Sequence, residues 1–336
     1  MMLIARKGCT TCGSHPLYDP AKSRTYSALP GYKSQIFFGS AGGGTISSNE
    51  TQGANVTVIT DVVSMAGHGR ASEFVICDDY SSGLRDQDPD GIFGISPTPY
   101  ASWFGDNSSA FVPVFWNLVQ SGQLPGPEFS FSFISDRKGP NGRAGVLTLG
   151  GTDQSLYITG TLKKIPLNWP LSESRWRWVV DVRGARIGDF TLTNSTDAVT
   201  LVDTGSANIN TPDLETSREL YGRMSNQIVP LDEFGSWGAP CHVLDRVARD
   251  VIFTVGSASQ KTDVAVKKEY INVGEFPSKP GICQGVFADP PRPAREPING
   301  RPAWIFGSPW LRSYYTVWNG QDRTIGFATP SQKDCD

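Results

Sequence analysis

Apolar positions in this chain fall in short runs broken by polar, glycine and proline positions, and few stretches hold the 3.6-residue spacing of an amphipathic helix. The pattern predicts many β-strands joined by turns. One strand is expected at Trp178-Val179-Val180-Asp181-Val182, and another ends at Leu201-Val202. Two helices are expected. In the first, from Phe111 to Gln120, the residues Phe111, Val114, Phe115, Leu118 and Val119 share one face before Gly122 stops the run; the second spans Leu214 to Met224. Pro166 and Pro170 bracket a linker-like stretch ahead of Trp178, dividing the chain into a first lobe, 1–165, and a second, 166–336. Asp86 to Pro89 and Asp289 to Pro297 read as solvated loops.

With 336 residues the chain can bury two ordinary cores, and its 36 glycines and 24 prolines reinforce the reading of strands and turns. A formal net charge of -3 leaves no basic footprint for nucleic acid. No apolar run approaches the roughly 20 residues that cross a bilayer, and Met1 to Gly8 is too short and wrongly built for a signal peptide. Sequons at Asn49, Asn55, Asn107 and Asn194 suit a secreted protein. The six cysteines fit disulfides better than metal, since zinc at Cys9 and Cys12 would need two more ligands and His15 is a weak candidate. The glycine-rich stretch 39–45 lacks the Gly-Lys-[Ser/Thr] ending of a phosphate loop and reads as a hairpin tip. No cofactor is expected.

The candidate chemistry lies at Leu201-Val202-Asp203-Thr204-Gly205-Ser206. Two apolar residues end a buried strand, and Thr-Gly makes a tight turn that presents a carboxylate at the strand tip. Gly91-Ile92-Phe93-Gly94 and Ile305-Phe306-Gly307 repeat a hydrophobic-hydrophobic-glycine element, while Gly145 to Asp153, Trp310 to Val317 and Ile325 to Ala328 add further segments. Together these resemble the pepsin-like, two-lobed aspartic peptidases along nearly the whole chain. The resemblance implies a mostly β fold with a central cleft, Asp203 as a catalytic carboxylate supported by Thr204, Gly205 and Ser206, and a flap hairpin at about 32–60. Phe38, Gly39 and Ser40 align with the flap, where the family usually has a tyrosine at the position of Phe38. It also implies a Cys241–Cys283 disulfide and a small loop disulfide near Cys9 and Cys12; the pairing of Cys9, Cys12, Cys77 and Cys335 stays open.

Family members carry two Asp-Thr-Gly turns, and this chain carries one. Gly94 and Gly307 are 213 residues apart, which puts the partner of Asp203 at about position -10, while matching Leu3-Ile4-Ala5 to the strand after the first turn puts it only a few residues upstream. Two further departures are the missing tryptophan in Met2-Leu3-Ile4 and Ser308 where aspartate is common. The expectation is therefore a secreted, monomeric acid endopeptidase that is N-terminally incomplete and inactive in this form. The alternative is a repurposed cleft that binds a peptide or small hydrophobic ligand, with Asp203 as a lone proton donor for cyclisation-type chemistry. A homodimer that borrows its second aspartate is a third reading, disfavoured because both lobes lie in one chain.

Overall fold

The computed structural model describes residues 2–38, 52–80, 90–102, 110–133, 145–175, 177–289 and 297–331. The chain is mostly β and separates into two compact units, one within residues 1–128 and the other from Phe129 onward.

In the first unit, β1 (Met2–Ala5), β2 (Ser27–Phe38), β3 (Gln52–Met65), β4 (His68–Tyr80) and β5 (Gly91–Phe93) form one sheet in the order β2-β3-β4-β1-β5. A two-residue turn at Ala66-Gly67 joins β3 to β4; both residues have positive φ, 50° and 82°, which matches the twist of the flanking strands. Central β4 is buried on both faces. Val75 and Cys77 pack with Leu3, Ala5, Val56 and Val58 on one side, and Phe74 and Ile76 pack with Ile59 on the other. A small ladder of β6 (Ala101–Ser102) and β7 (Ala110–Phe111) precedes helix α1 (Val114–Gln120). This helix starts later than the apolar spacing suggests, because Pro113 is its N-cap and Phe111 joins β7; Gly122, at φ 72°, lies just past its end. Asn117 Nδ2 ties α1 to β4 through the Ala71 carbonyl at 2.6 Å.

Asp61, only 5% exposed, organises the outer part of this unit. Burial opposes its ionisation, but hydrogen bonds from the hydroxyls of Thr25, Tyr18 and Ser23 and from the Val62 N–H outweigh it and hold the carboxyl below its usual range. A depressed native pKa contributes stability that is present above the unfolded value of about 3.9 and is lost as pH falls through the native value. Asp61→Asn should therefore flatten the acid limb of the stability curve below about pH 4, a change that urea midpoints measured against pH would reveal. An unchanged acid limb would show that Asp61 adds nothing to the pH dependence.

Among the described residues the second unit contains three sheets. β8 (Glu128–Phe133), β9 (Gly145–Leu149), β10 (Lys163–Pro166), β23 (Tyr315–Asn319) and β24 (Thr324–Ala328) form the first, in the order β10-β24-β23-β8-β9. The largest comprises β11 (Val179–Ile187), β12 (Phe190–Thr191), β13 (Ala198–Val202), β14 (Ile209–Asn210), β17 (Val251–Gly256), β18 (Lys261–Val266), β21 (Phe287–Ala288) and β22 (Ala303–Phe306). The third joins β15 (Val229–Pro230), β16 (Trp237–Pro240), β19 (Asn272–Glu275) and β20 (Ile282–Gly285). Helix α2 (Trp169–Arg175) precedes β11, and α3 (Leu214–Met224), capped by the Asp213 carboxylate on Thr216 N at 2.7 Å, has the predicted span. Two short helices, α4 (Cys241–Val247) and α5 (Ser308–Leu311), complete the unit. Its core is aromatic, with Trp304, Phe253, Phe306 and Trp310 in successive ring contacts.

Candidate active site

Asp203 is the first residue beyond β13. Val202 lies beside Phe306 in the parallel β13–β22 pair, and the Asp203 N–H still reaches the Phe306 carbonyl at 3.0 Å, so the ladder holds the aspartate backbone. The chain then reverses. Ser206 N–H donates to the Asp203 carbonyl at 3.1 Å, Gly205 N–H to Oδ1 at 3.0 Å, and Ser206 Oγ to Oδ2 at 3.0 Å. Each carboxylate oxygen thus takes a donor from its own turn and keeps lone-pair capacity for another. Asp203, Thr204 and Gly205 are exposed and Ser206 is buried, so the turn is anchored from below while its carboxylate meets solvent.

Beyond the turn, β14 pairs antiparallel with the other edge of β22, with Ile209 beside Phe306. β22 therefore lies between β13 and β14, and the loop 203–208 wraps its end. Gly307 occupies the crossing. A Cβ there would strike the carbonyls of Ser206 and Asn208, and the next residue, Ser308, donates its N–H to the Ser206 carbonyl at 2.9 Å. Gly307→Ala should cost about 1–3 kcal/mol through this overpacking, a loss that denaturant midpoints would register; wild-type stability would show that the crossing is looser than the geometry indicates.

The first unit repeats the arrangement around the corresponding glycine element. β1 lies parallel to β4 and antiparallel to β5, with Met2 beside Phe93, while β14 lies parallel to β21 and antiparallel to β22, with Ile209 beside Phe306. Ile209 and Met2, 207 residues apart, thus hold equivalent places in the two units.

The remaining sequence candidates fall in several places. Phe38 ends β2 in register with Gln52, whereas Gly39 and Ser40 lie outside the described residues. Cys241 pairs with Cys283, and Cys9 pairs with Cys12; Cys77 is a buried thiol that burial pushes up to about 12, and Cys335 lies outside the described residues. Asp289, placed by sequence in a solvated loop, is instead buried: its Oδ1 accepts from Trp237 Nε1 at 3.1 Å and its carbonyl from Asn210 Nδ2 at 3.2 Å. Residues 290–296 of that expected loop lie outside the described residues. Asn208 and Asn210, which flank Ile209 just beyond the turn and are buried, were not singled out in the sequence. Their signal was available, since asparagine on both sides of a buried isoleucine demands internal partners.

Among the described residues no group of three or more His, Cys, Asp or Glu is placed to hold a metal, and no helix is long and apolar enough to cross a membrane. The sequence matches the profile of the eukaryotic aspartyl proteases over residues 3–330. It is 25% identical over 326 residues to cathepsin E of Mus musculus, covering 95% of this chain and 72% of that protein. Identity to gastricsin of Macaca fuscata fuscata is 25% over 331 residues (95% and 74% covered), and to chymosin of Bos taurus 24% over 325 residues (94% and 71% covered). The strand-tip aspartate, the glycine crossing beneath it and this match along the length of the sequence place the chain in the eukaryotic aspartyl protease family.

Proposed function

We propose that this chain is the greater part of a pepsin-type aspartic endopeptidase in which Asp203 is one of two catalytic carboxylates. The observation that carries this reading is the Asp203 carboxylate itself, exposed at a strand tip and oriented by Gly205 and Ser206. In such a pair one carboxylate acts as base on water, while its protonated neighbour polarises the peptide carbonyl and later supplies a proton to the leaving amine. Asp203 supplies one half of that exchange. The 336 residues contain one Asp-Thr-Gly, so by themselves they are inactive on peptides at acid pH.

In this reading the 1–165 and 166–336 stretches are the two lobes, the first carries the flap hairpin at about 32–60, and the substrate is a peptide. Passage through a secretory compartment fits the two disulfides, and the folded protein is a monomer. The test is an acid peptide-cleavage assay on the chain alone and on a form extended upstream by a hydrophobic-hydrophobic-Asp-Thr-Gly turn. Cleavage confined to the extended form supports the reading. The second reading, a repurposed cleft for small hydrophobic ligands with Asp203 as proton donor, draws on Phe38 and Ser308, which lack the hydroxyl and carboxyl common in the family at those positions. It is favoured if the extended form folds and stays inactive.

A further inference from the structure

Asn194 lies in a single 3-10 turn, Thr193–Ser195, between β12 and β13. The middle residue of its Asn194-Ser195-Thr196 sequon is buried and fixes the turn by donating its hydroxyl to the Leu192 carbonyl at 2.7 Å. The flanking Asn194 and Thr196 are both exposed, so the acceptor amide and the hydroxyl that a glycosyl transferase reads are presented together at a reverse bend. Asn194 Nδ2 has a long, 3.4 Å contact to Oδ2 of Asp213, whose other oxygen caps α3. The residue after Asp213 is Leu214, 39% exposed.

Asn55 offers a contrast. Its sequon runs along β3, flanked by Gln35 on β2 and Asp79 on β4. Its amide donates to Asp79 Oδ2 at 3.2 Å, and the Thr57 hydroxyl is committed to Asp78 at 2.7 Å. The sequons at Asn49 and Asn107 lie outside the described residues.

We infer that Asn194 carries an N-linked glycan and that the sugar stands beside Leu214, covering its exposed part. In the transfer, Asn194 Nδ2 forms a bond to the anomeric carbon of a lipid-linked oligosaccharide diphosphate. The bond from that carbon to the diphosphate breaks, the lipid diphosphate departs, and the amide gives up one proton. The α3 cap uses the other Asp213 oxygen and so does not depend on the Asn194 contact. The disulfides Cys9–Cys12 and Cys241–Cys283 indicate the oxidising compartment in which such transfer takes place. Glycan attachment is independent of whether Asp203 is catalytic.

The chain would be fused to a cleavable signal sequence, translated into endoplasmic-reticulum microsomes, and treated with glycan amidase in ¹⁸O water before peptide mapping. Transfer in microsomes does not require export. Asn194 should be recovered mainly as ¹⁸O-aspartate, with an occupancy several-fold above that of Asn55, and Thr196→Ala should abolish the label while leaving Asn194 in place. Unlabelled Asn194, occupancy no higher than that of Asn55, or label persisting in Thr196→Ala would each overturn the assignment.

Discussion

Asp203→Asn should abolish acid peptide cleavage by the upstream-extended protein, with a loss of roughly 10²–10⁴-fold or more, the range general acid–base catalysis contributes. Asparagine is nearly isosteric: its one amide oxygen can still accept from Gly205 N–H, and its NH₂ can donate to Ser206 Oγ, which reverses its role to acceptor, so the fold should survive. What disappears is the exchangeable proton on this side of the pair. The 336-residue chain should already show a loss of that size, because two Asp-Thr-Gly turns are required and it contains one. Initial rates on a denatured protein substrate between about pH 2 and 6, spanning the carboxylate range, would settle both points. Strong cleavage by the unextended chain would refute the need for a second aspartate; cleavage by extended Asp203→Asn would show that the reacting carboxylates lie elsewhere.

Replacing both Cys241 and Cys283 with serine should lower the stability of the second unit by about 2–4 kcal/mol, because their disulfide spans a sequence separation of 42 residues. The enclosed segment includes α4 and the β17–β18 hairpin, whose freedom in the unfolded chain the bond restricts. Cys9–Cys12, with a separation of 3, closes too little chain to have a comparable effect. Urea unfolding of the two double-serine variants would compare them directly. Equal midpoints would remove the loop-closure explanation, and recovery of Cys241 or Cys283 as a free thiol from folded protein would remove the bond itself.

Much of the second unit was legible because local signals and tertiary demands coincide there. In α3 the apolar spacing, the Asp213 cap and the buried face made by Leu220, Tyr221 and Met224 agree, so its span could be read directly. The Asp203 turn was legible for a similar reason: two apolar strand residues, Leu201 half-buried and Val202 buried, end at a glycine-containing reversal. By contrast, periodicity placed Phe111 on a helix face, but the missing N–H and fixed φ of Pro113 set the start of α1. Asp289 was misplaced because proline-rich composition suggested exposure, whereas its partners, Trp237 and Asn210, are 52 and 79 residues away in sequence. Pairings of that range leave little trace in a local window.

The sheet formed by β8, β9, β10, β23 and β24 has a consequence for the order of assembly. β8 begins at Glu128, yet its neighbour β23 begins at Tyr315, and the Tyr315 hydroxyl reaches back to Ser130 Oγ at 2.7 Å and receives the Asp153 N–H at 2.8 Å. A ribosome must therefore add nearly two hundred residues after β8 emerges before that strand finds its partner. During that interval β8–β9 and β10 present unpaired edges, and closure depends on contacts of long sequence separation that form slowly. A transcript ending before Tyr315 would yield a chain that keeps Asp203 but lacks the strands to finish this sheet, an open-edged product suited to chaperone capture or aggregation.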